Sequence, residues 1–325
     1  MFDSENELRA LYEEGSEAYR EAIDAMILAV AMGDKGGLMA SRERLADVMA
    51  ATMGSAEAVG ALHTLQGAAK AYGEMGLDPS PRVNATEDAG RRLSVVFARV
   101  PNRVAKVQFK ERLQDLVERT PVTIKKAAER TAQRIAELYG KARVLGFVRS
   151  AEEAVTNRVA ALLAESVRKG LVEREAGVLI KMGVDSVRKE TAAWSEAYSR
   201  TVFRTNLNTA TAAGRFRQLQ DVDVAGVIPA LMFQTAGDVD VRHNHAAANG
   251  MILSKDNPAW GRLAPPLGYN CRCTVSYISA YALKQMGRLN SDGTIREDAI
   301  PREAFPDPGF RHGGRPDLFM REQAS

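Results

Sequence analysis

The helical character of this chain is set near its start, where residues 5–32 read ENELRALYEEGSEAYREAIDAMILAVAM. Large apolar side chains recur there at the three- and four-residue spacings of one helix face, namely Leu8, Leu11, Tyr12, Tyr19, Ile23 and Met26. Gly33 and the pair Gly36 and Gly37 follow, and glycine commonly terminates helices. The stretch therefore predicts one long amphipathic helix.

Helical patterns continue along the chain after this stretch. Further helices are predicted over residues 38–54, 56–74, 88–100, 102–119 and 121–144, with Pro101 as a break and Pro121 in a first helical turn. Ser150 and Glu153 form a capping box, which predicts a helix from residue 150 to about Gly170. Asp185 or Ser186 is expected to cap a long last helix that reaches about Gln220.

The pattern changes near residue 221, where Gly, Pro, Asn and Asp become frequent. Short apolar or alternating runs predict strands at 230–234 and 273–278, and a short helix is expected around 242–248 within an ordered loop. The fold class is therefore mainly α: a long helical N-terminal region is followed by a smaller α+β C-terminal domain with short strands and an ordered loop.

Four segments follow from these changes of pattern. Residues 1–80 form an N-terminal helical segment, 81–184 a basic helical region, 185–280 the domain with the ordered loop, and 281–325 a Pro/Gly-rich C-terminal extension. The first boundary lies in a polar break over about 76–87, which contains Pro79 and Pro81.

Composition limits the classes of protein to consider. The 325 residues are 45% hydrophobic and 26% charged, with a net charge of +3, close to an average globular chain. Two cysteines do not make a secreted disulfide scaffold, and the acidic N-terminus does not resemble a signal peptide. The apolar run at 25–32 is too short to span a bilayer. We expect a soluble protein without membrane contact, made in a reducing cytosol.

Charge is unevenly distributed along the chain. Residues 91–143 carry fourteen Lys or Arg against five Asp or Glu. Such a segment could face nucleic acid or an acidic partner. Alternatively, its long cationic side chains simply solvate the exposed faces of helices.

The loop from Asp238 to Cys273 carries the most distinctive chemistry. Half of the four histidines and both cysteines lie there. Imidazole and thiolate are ligands that zinc prefers, so His245, Cys271 and Cys273 are candidate ligands, with His243 or Asp238 as a fourth. Alternatively, the thiols are small buried apolar groups and the histidines bond to backbone.

Two other functions are compatible with these residues. The loop could form the metal site of a hydrolase such as a nuclease, or Cys271 could be a nucleophile paired with His245. Against an enzyme, the chain has no H-E-x-x-H, nucleophile elbow, P-loop or paired-carboxylate motif. The basic helices also invite a sequence-specific DNA-binding regulator, but no convincing helix-turn-helix pattern is present.

Residues from about Tyr198 to Ile278 resemble the Mu F-like phage head morphogenesis family, the minor head proteins of tailed bacteriophages. An ordered set of elements carries the resemblance, namely Arg204-Thr205-Asn206, Asp238 with Arg242 and His245, Asn249-Gly250, Asp256 with Trp260, Pro265-Pro266, and Asn270-Cys271-Arg272-Cys273. The resemblance covers roughly a quarter of the chain. Asn206 stands where the family often has Glu, and Asp240 where it often has Arg.

The family pattern bears on the metal hypothesis. Some members carry two cysteines at the positions of Arg242 and His245, in addition to the final C-x-C pair. Four cysteines would suit zinc, whereas Arg242 in this chain cannot be a ligand. It could instead pair with Asp238 or Asp240 and brace the loop without a metal.

The resemblance implies a structural minor head protein rather than an enzyme, with no catalytic residues and no cofactor other than a structural zinc. It implies a role in head assembly near the portal, with the portal or the major capsid protein of the same phage as partners. Contact with packaged DNA and aid to its packaging or ejection are part of this expectation. The protein is expected inside the capsid or near the portal of the virion, in a multi-copy assembly, after synthesis in the host bacterial cytoplasm.

Overall fold

The computed structural model describes residues 4–76, 111, 113–114, 117–118, 125–139, 144–168 and 176–310. The predicted helices at 88–100 and, for the most part, 102–119 lie outside these residues, as does the predicted break near 76–87. The long helices within these residues are α1 (Ser4–Met32), α2 (Lys35–Glu74), α3 (Lys125–Tyr139), α4 (Val144–Arg168) and α5 (Ala176–Gln218). The mainly α prediction is confirmed.

The shorter elements belong to the second half of the chain. They are α6 (Val222–Ala225), β1 (Ala230–Gln234), α7 (His243–Ala246), β2 (Ile252–Ser254), α8 (Trp260–Leu263), β3 (Thr274–Ile278) and α9 (Ala280–Gln285). The strands form one antiparallel sheet in the order β2-β1-β3. Leu231 of β1 is opposite Leu253 of β2 on one side and Tyr277 of β3 on the other. The predicted short strands and ordered loop are thus present, and β2 is an addition.

Helices α1, α2, α4 and α5 form a helical bundle. Its core joins side chains from all four helices, including Ile23 of α1, Met49 of α2, Val155 of α4 and Phe203 of α5. Helix α2 is central, and every residue from 49 to 62 is buried. Gly60 lets α2 and α5 approach closely, since a Cβ at this position would lie 2.0 Å from the carbonyl oxygen of Thr211.

Helix α5 connects the bundle to the C-terminal region, which we define as residues 226–310. Phe203 near the middle of α5 belongs to the core of the bundle, whereas Phe216 near its end belongs to a second core that includes Phe233 of the sheet. The hydroxyl of Tyr277 in β3 lies 2.6 Å from the hydroxyl of Thr64 in α2. The sheet is therefore packed directly on the helices.

Three predicted helix boundaries were wrong. Residues 38–54 and 56–74 belong to the single helix α2, in which Ser55 is buried, because packing between neighbouring helices overrides the weak helix propensity of Gly54 and Ser55. Ser150 lies inside α4, which begins at Val144, so it does not cap a helix. Asp185 and Ser186 lie inside α5, which begins at Ala176.

Within the described parts of the chain, no helix combines the length and the apolar character that a membrane span requires.

Candidate metal centre

His245 reaches its position through a short turn of helix. A bend at residues 238–241 leads into α7, and the backbone N–H of His245 bonds to the carbonyl of Arg242 at 3.0 Å. This turn directs the imidazole inward, and the residue is only 2% exposed. A polar ring buried this deeply needs partners, because an unsatisfied buried polar group is costly.

The two cysteines lie on the approach to β3. Asn270, just before Cys271, has a φ of 56°, a left-handed conformation that Asn tolerates better than most residues. Its backbone N–H donates to Thr205 Oγ1 at 3.2 Å, and the Asn208 side chain donates to the carbonyl of Cys271 at 2.7 Å. Helix α5 thus fixes the segment that carries both sulfur atoms.

The three side chains converge on one point. Nδ1 of His245 lies 3.7 Å from Sγ of Cys271 and 3.9 Å from Sγ of Cys273. All three atoms lie within 4.8 Å of one another. In a tetrahedral zinc site with ordinary bond lengths, nitrogen and sulfur ligands are about 3.5 Å apart. The spacing of the cluster is therefore close to that of a metal site.

The thiols of Cys271 and Cys273 shift each other's pKa. A hydrogen bond with Cys273 is the largest cause that lowers the pKa of Cys271 to about 4, while burial opposes this shift and a hydrogen bond with His245 adds to it. The same hydrogen bond and burial raise the pKa of Cys273. One sulfur therefore holds negative charge readily, and the thiolate is the form that binds metals.

A carboxylate lies on the other side of the imidazole. Oδ1 of Asp307 is 3.3 Å from Nε2 of His245, although Nε2 forms no well-directed hydrogen bond with any described residue. Asp307 is held by Arg242, whose Nε is 3.1 Å from Oδ2, and by the side chain of Asn244, which donates to Oδ1 at 3.1 Å. Its N–H also bonds to the carbonyl of Leu267 at 2.8 Å.

The structure does not bring the two predicted fourth ligands to this cluster. Within the described chain, the group that could hold a metal contains only His245, Cys271 and Cys273. His243 is exposed. Asp238 accepts a hydrogen bond at 2.7 Å from Arg272, which lowers the pKa of the Asp238 carboxyl.

The expected pairing of Arg242 was wrong. Arg242 contacts Asp307 and donates to the carbonyl of Tyr269 at 2.7 Å, while Arg272 is the partner of Asp238 and lies 3.8 Å from Asp240. The two arginines thus have different carboxylate partners. Sequence spacing does not determine which carboxylate each guanidinium reaches.

The other residues of the predicted motif have structural contacts. Arg204 lies in the bundle, where its guanidinium stacks 4.8 Å from the ring centroid of Tyr12. The side chain of Asn249 accepts a hydrogen bond from the N–H of Thr235 at 2.9 Å, and Gly250 has a φ of 81°. Trp260 is buried and donates to the carbonyl of Ser254 at 2.8 Å. The peptide bond between Pro265 and Pro266 is cis.

Sequence reasoning missed Asp307, Asn244 and Asn208. Asp307 lies in the stretch FPDPGF at 305–310, which was singled out only as rich in Pro and Gly. An aspartate flanked by two prolines cannot form regular structure, and that signal could have marked it as a fixed loop residue.

Comparisons with known proteins agree with the resemblance. Residues 157–276 match the family model described as Phage Mu protein F like protein. The Mu-like prophage FluMu F protein of Haemophilus influenzae is 35% identical over 105 residues, which are 31% of this chain and 25% of that protein. A protein of Escherichia phage Mu named "Putative capsid assembly protein F" is 33% identical over 93 residues, which are 29% of this chain and 21% of that protein.

The shared region is limited in extent. The alignments span about a quarter of the length of these curated relatives. No solved structure matches the chain. The shared region includes the end of the bundle, the sheet and the His/Cys cluster, and over this region the chain is similar to the Phage Mu protein F like family.

Proposed function

We propose that this chain is a structural minor head protein that acts in head assembly of a tailed phage. The observation that carries the proposal is the match of residues 157–276 to the family, together with a relative from phage Mu whose name refers to capsid assembly. Since the alignment with that relative covers 21% of its length, the role of the whole protein rests on this one region.

The geometry supports a binding or assembly module more than a catalyst. Cys271 and His245 are each 2% exposed; Asn208 donates to the carbonyl of Cys271, and Asp307 lies against the imidazole of His245. A nucleophile or hydrolytic metal needs room for a substrate, and the cavity of about 20 Å³ against His245, Cys271 and Cys273 holds no more than one water molecule. The buried cluster instead suits a fixed connection between the loop, β3 and the segment around Asp307.

One observation favours the enzyme alternative, a hydrolase or nuclease that uses the His/Cys loop. Cys273 borders a cavity of about 220 Å³ together with Arg215 and Arg272, and this cavity could admit a small anionic group. A Cys273→Ser variant distinguishes a catalytic role of the site from a structural one. A folded variant that loses a nuclease activity present in the wild type would favour the enzyme, whereas lost folding or lost head assembly favours the structural role.

The partners and location are part of the proposal. We propose that the protein contacts the portal or the major capsid protein, in several copies, on the inside of the head or near the portal. The long helices support this because they offer extended surfaces for such contacts. The described surface also carries large exposed apolar side chains at the ends of α1 and α2, Met32 and Met75.

Contact with packaged DNA is a separate proposal, based on the basic segment at 91–143, most of which lies outside the described residues. Phosphate contacts release counterions, so the affinity of the purified protein for duplex DNA should fall steeply as salt is raised. A fluorescence anisotropy titration at several salt concentrations measures this slope. A flat response to salt would remove DNA from the proposal without affecting the head assembly role.

The head assembly role is tested in a phage that encodes this chain. We expect a null allele to yield few or no complete heads in electron micrographs, and the wild-type chain supplied in trans to restore them. Mass spectrometry of purified particles should detect the protein. Normal numbers of complete, infectious heads in the null strain, with no trace of the protein in wild-type particles, would overturn the proposal. Val239→Ala, which alters a fully exposed side chain, is the control for complementation.

A further inference from the structure

Three observations around the imidazole of His245 point to a ligand that the cluster is built to hold. The ring nitrogen Nδ1 faces both sulfur atoms, at 3.7 Å and 3.9 Å. The opposite nitrogen Nε2 faces a carboxylate oxygen at 3.3 Å and forms no well-directed hydrogen bond with a described residue. The ring is thus set between two thiols on one side and an anion on the other.

Zinc-binding histidines are commonly held in this arrangement. A histidine that binds a metal through one nitrogen typically presents its other N–H to a carboxylate, which fixes the tautomer and the orientation of the ring. With the metal on Nδ1, the proton of His245 would be on Nε2, the atom that faces Asp307. Asp307 is itself oriented by Arg242 and Asn244, so the carboxylate is fixed before it orients the ring.

The charges also favour a divalent cation. Two thiolates and one neutral imidazole would compensate the charge of one Zn²⁺, and soft sulfur ligands select zinc over magnesium or calcium. The guanidinium of Arg242 pairs with Asp307, so the carboxylate next to the ring is compensated without the metal.

The fourth coordination position has space but no protein ligand among the described residues. A cavity of about 20 Å³ lies against the cluster, lined in part by Arg242 and Asn270. That is the volume of about one water molecule, which needs roughly 10–15 Å³. Asn270 Oδ1 is buried there without a hydrogen-bond partner in the described chain, and it could accept a bond from such a water.

We propose that His245, Cys271 and Cys273 bind one Zn²⁺ whose fourth ligand is water, and that Asp307 is the positioning residue of the site. The metal connects the turn at α7 to the start of β3, and Asp307 adds the segment after α9. This inference concerns the fold of the domain and does not rest on the head assembly role.

The first test uses the full-length chain, expressed with added zinc and purified in a reducing buffer. Elemental analysis should find one zinc per chain. Replacement of zinc by Co²⁺ should give the visible absorption of a tetrahedral cobalt site and the near-ultraviolet charge-transfer band of cobalt–thiolate bonds. A folded wild-type chain that takes up neither zinc nor cobalt would falsify the proposal.

Variants then assign the ligands. His245→Asn and Cys273→Ser should abolish the cobalt spectrum, whereas His243→Asn, which changes an exposed histidine two residues away, should keep both the spectrum and the stoichiometry. Equal loss in His243→Asn and His245→Asn would contradict the assignment of His245. If the ligand variants do not fold, the cobalt spectrum of the wild-type chain decides between the outcomes.

Asp307→Asn tests the positioning role. The variant should keep the tetrahedral cobalt spectrum but bind zinc about 10- to 100-fold more weakly in competition with a chelator. Asp256→Asn, at an exposed carboxylate, is the matched control and should bind like the wild type. Unchanged zinc affinity in Asp307→Asn would exclude Asp307 from the site while leaving the three ligands in place.

Discussion

The helical bundle and the C-terminal region are stabilised in different ways. In the bundle, small residues allow helices to approach closely, and a continuous run of buried residues from 49 to 62 fills the centre. In the C-terminal region, side chains bond to the backbone: Asp298 accepts from the N–H of Ile252 at 2.8 Å, and Glu297 accepts from the N–H of Ser254 at 2.6 Å.

The difference follows from the lengths of the elements. A long helix satisfies most of its own backbone groups, so its stability depends on how closely its side chains pack. Strands and helices of three to six residues leave many N–H and C=O groups unpaired, and polar side chains must bond to them. Added volume should therefore destabilise the bundle most, and loss of polar atoms should destabilise the C-terminal region.

The largest effect is expected where α2 and α5 cross. In Gly60→Ala the added methyl group would lie 2.0 Å from the carbonyl oxygen of Thr211, so the two helices must separate. We expect the free energy of unfolding to fall by about 3 kcal/mol or more, measured by urea denaturation. Gly73→Ala in the same helix has open space around it and should change stability by no more than about 1 kcal/mol, in the stabilising direction. Equal effects of the two substitutions would contradict close packing.

A smaller effect is expected at Gly268, which faces the carboxylate of Asp307 next to His245. A Cβ there would lie 2.0 Å from Oδ2 of Asp307, but a side chain can move where a backbone cannot. Gly268→Ala should cost about 2 kcal/mol, seen as a lower melting temperature in a thermal scan monitored by circular dichroism. Gly226→Ala, with nothing near its Cβ position, is the control, and a loss as large there would mean that Asp307 is not the cause.

The contribution of Asp298 to the stability of the fold is expected to depend on pH. Burial opposes ionisation, but the hydrogen bond from Ile252 and the contact with Arg288 outweigh it, so the pKa of Asp298 is lowered. Its ionised form therefore stabilises the fold above the unfolded pKa of about 4, and this contribution is lost as the pH falls through the lower folded value.

Asp298→Asn should accordingly cost about 1 kcal/mol at neutral pH and almost nothing in strong acid. Urea titrations of wild type and variant at several pH values measure the difference. A difference that grows as the pH falls would show that the sign is wrong.

The smallest effect is expected for an exposed ion pair between α3 and α6. Arg130 contacts Asp221 and Asp223, each at 2.7 Å, but the arginine side chain is 49% exposed. Solvent screens such pairs, so Arg130→Met should cost about 0.5 kcal/mol, and less at high salt. A urea denaturation series in low and high salt measures it. A loss above that of Asp298→Asn would mean that this exposed contact stabilises the chain more than the polar contacts of the C-terminal region.

Sequence periodicity predicted the first helix well because its apolar face repeats from Leu8 to Met26, over about five turns. The bounds of α2, α4 and α5 were less predictable, since Ser55, Ser150 and Asp185 all carry local signals for a cap or a break. At Ser55, which is buried, packing against neighbouring helices outweighed the local signal. Strand β2 was missed because three residues are too few to reveal a period.

The candidate site, too, could be predicted from the sequence only in part. His245, Cys271 and Cys273 stood out through residue type, and the structure places them together, while zinc itself stays a prediction. The partners of Arg242 and Arg272 depend on the path of the loop, which spacing does not define. Asp307 could not be linked to His245 from the sequence, because the contact crosses more than sixty residues with no repeating pattern.

The contact between His245 and Asp307 also has a consequence for synthesis on the ribosome. The two thiols and the imidazole leave the exit tunnel before the segment around Asp307, so all three proposed ligands exist in a nascent chain that still lacks the carboxylate. A metal bound at that stage would be held by a histidine whose ring Asp307 does not yet orient, and the metal could exchange. The contact between the carboxylate and the ring can form only when the later segment has emerged.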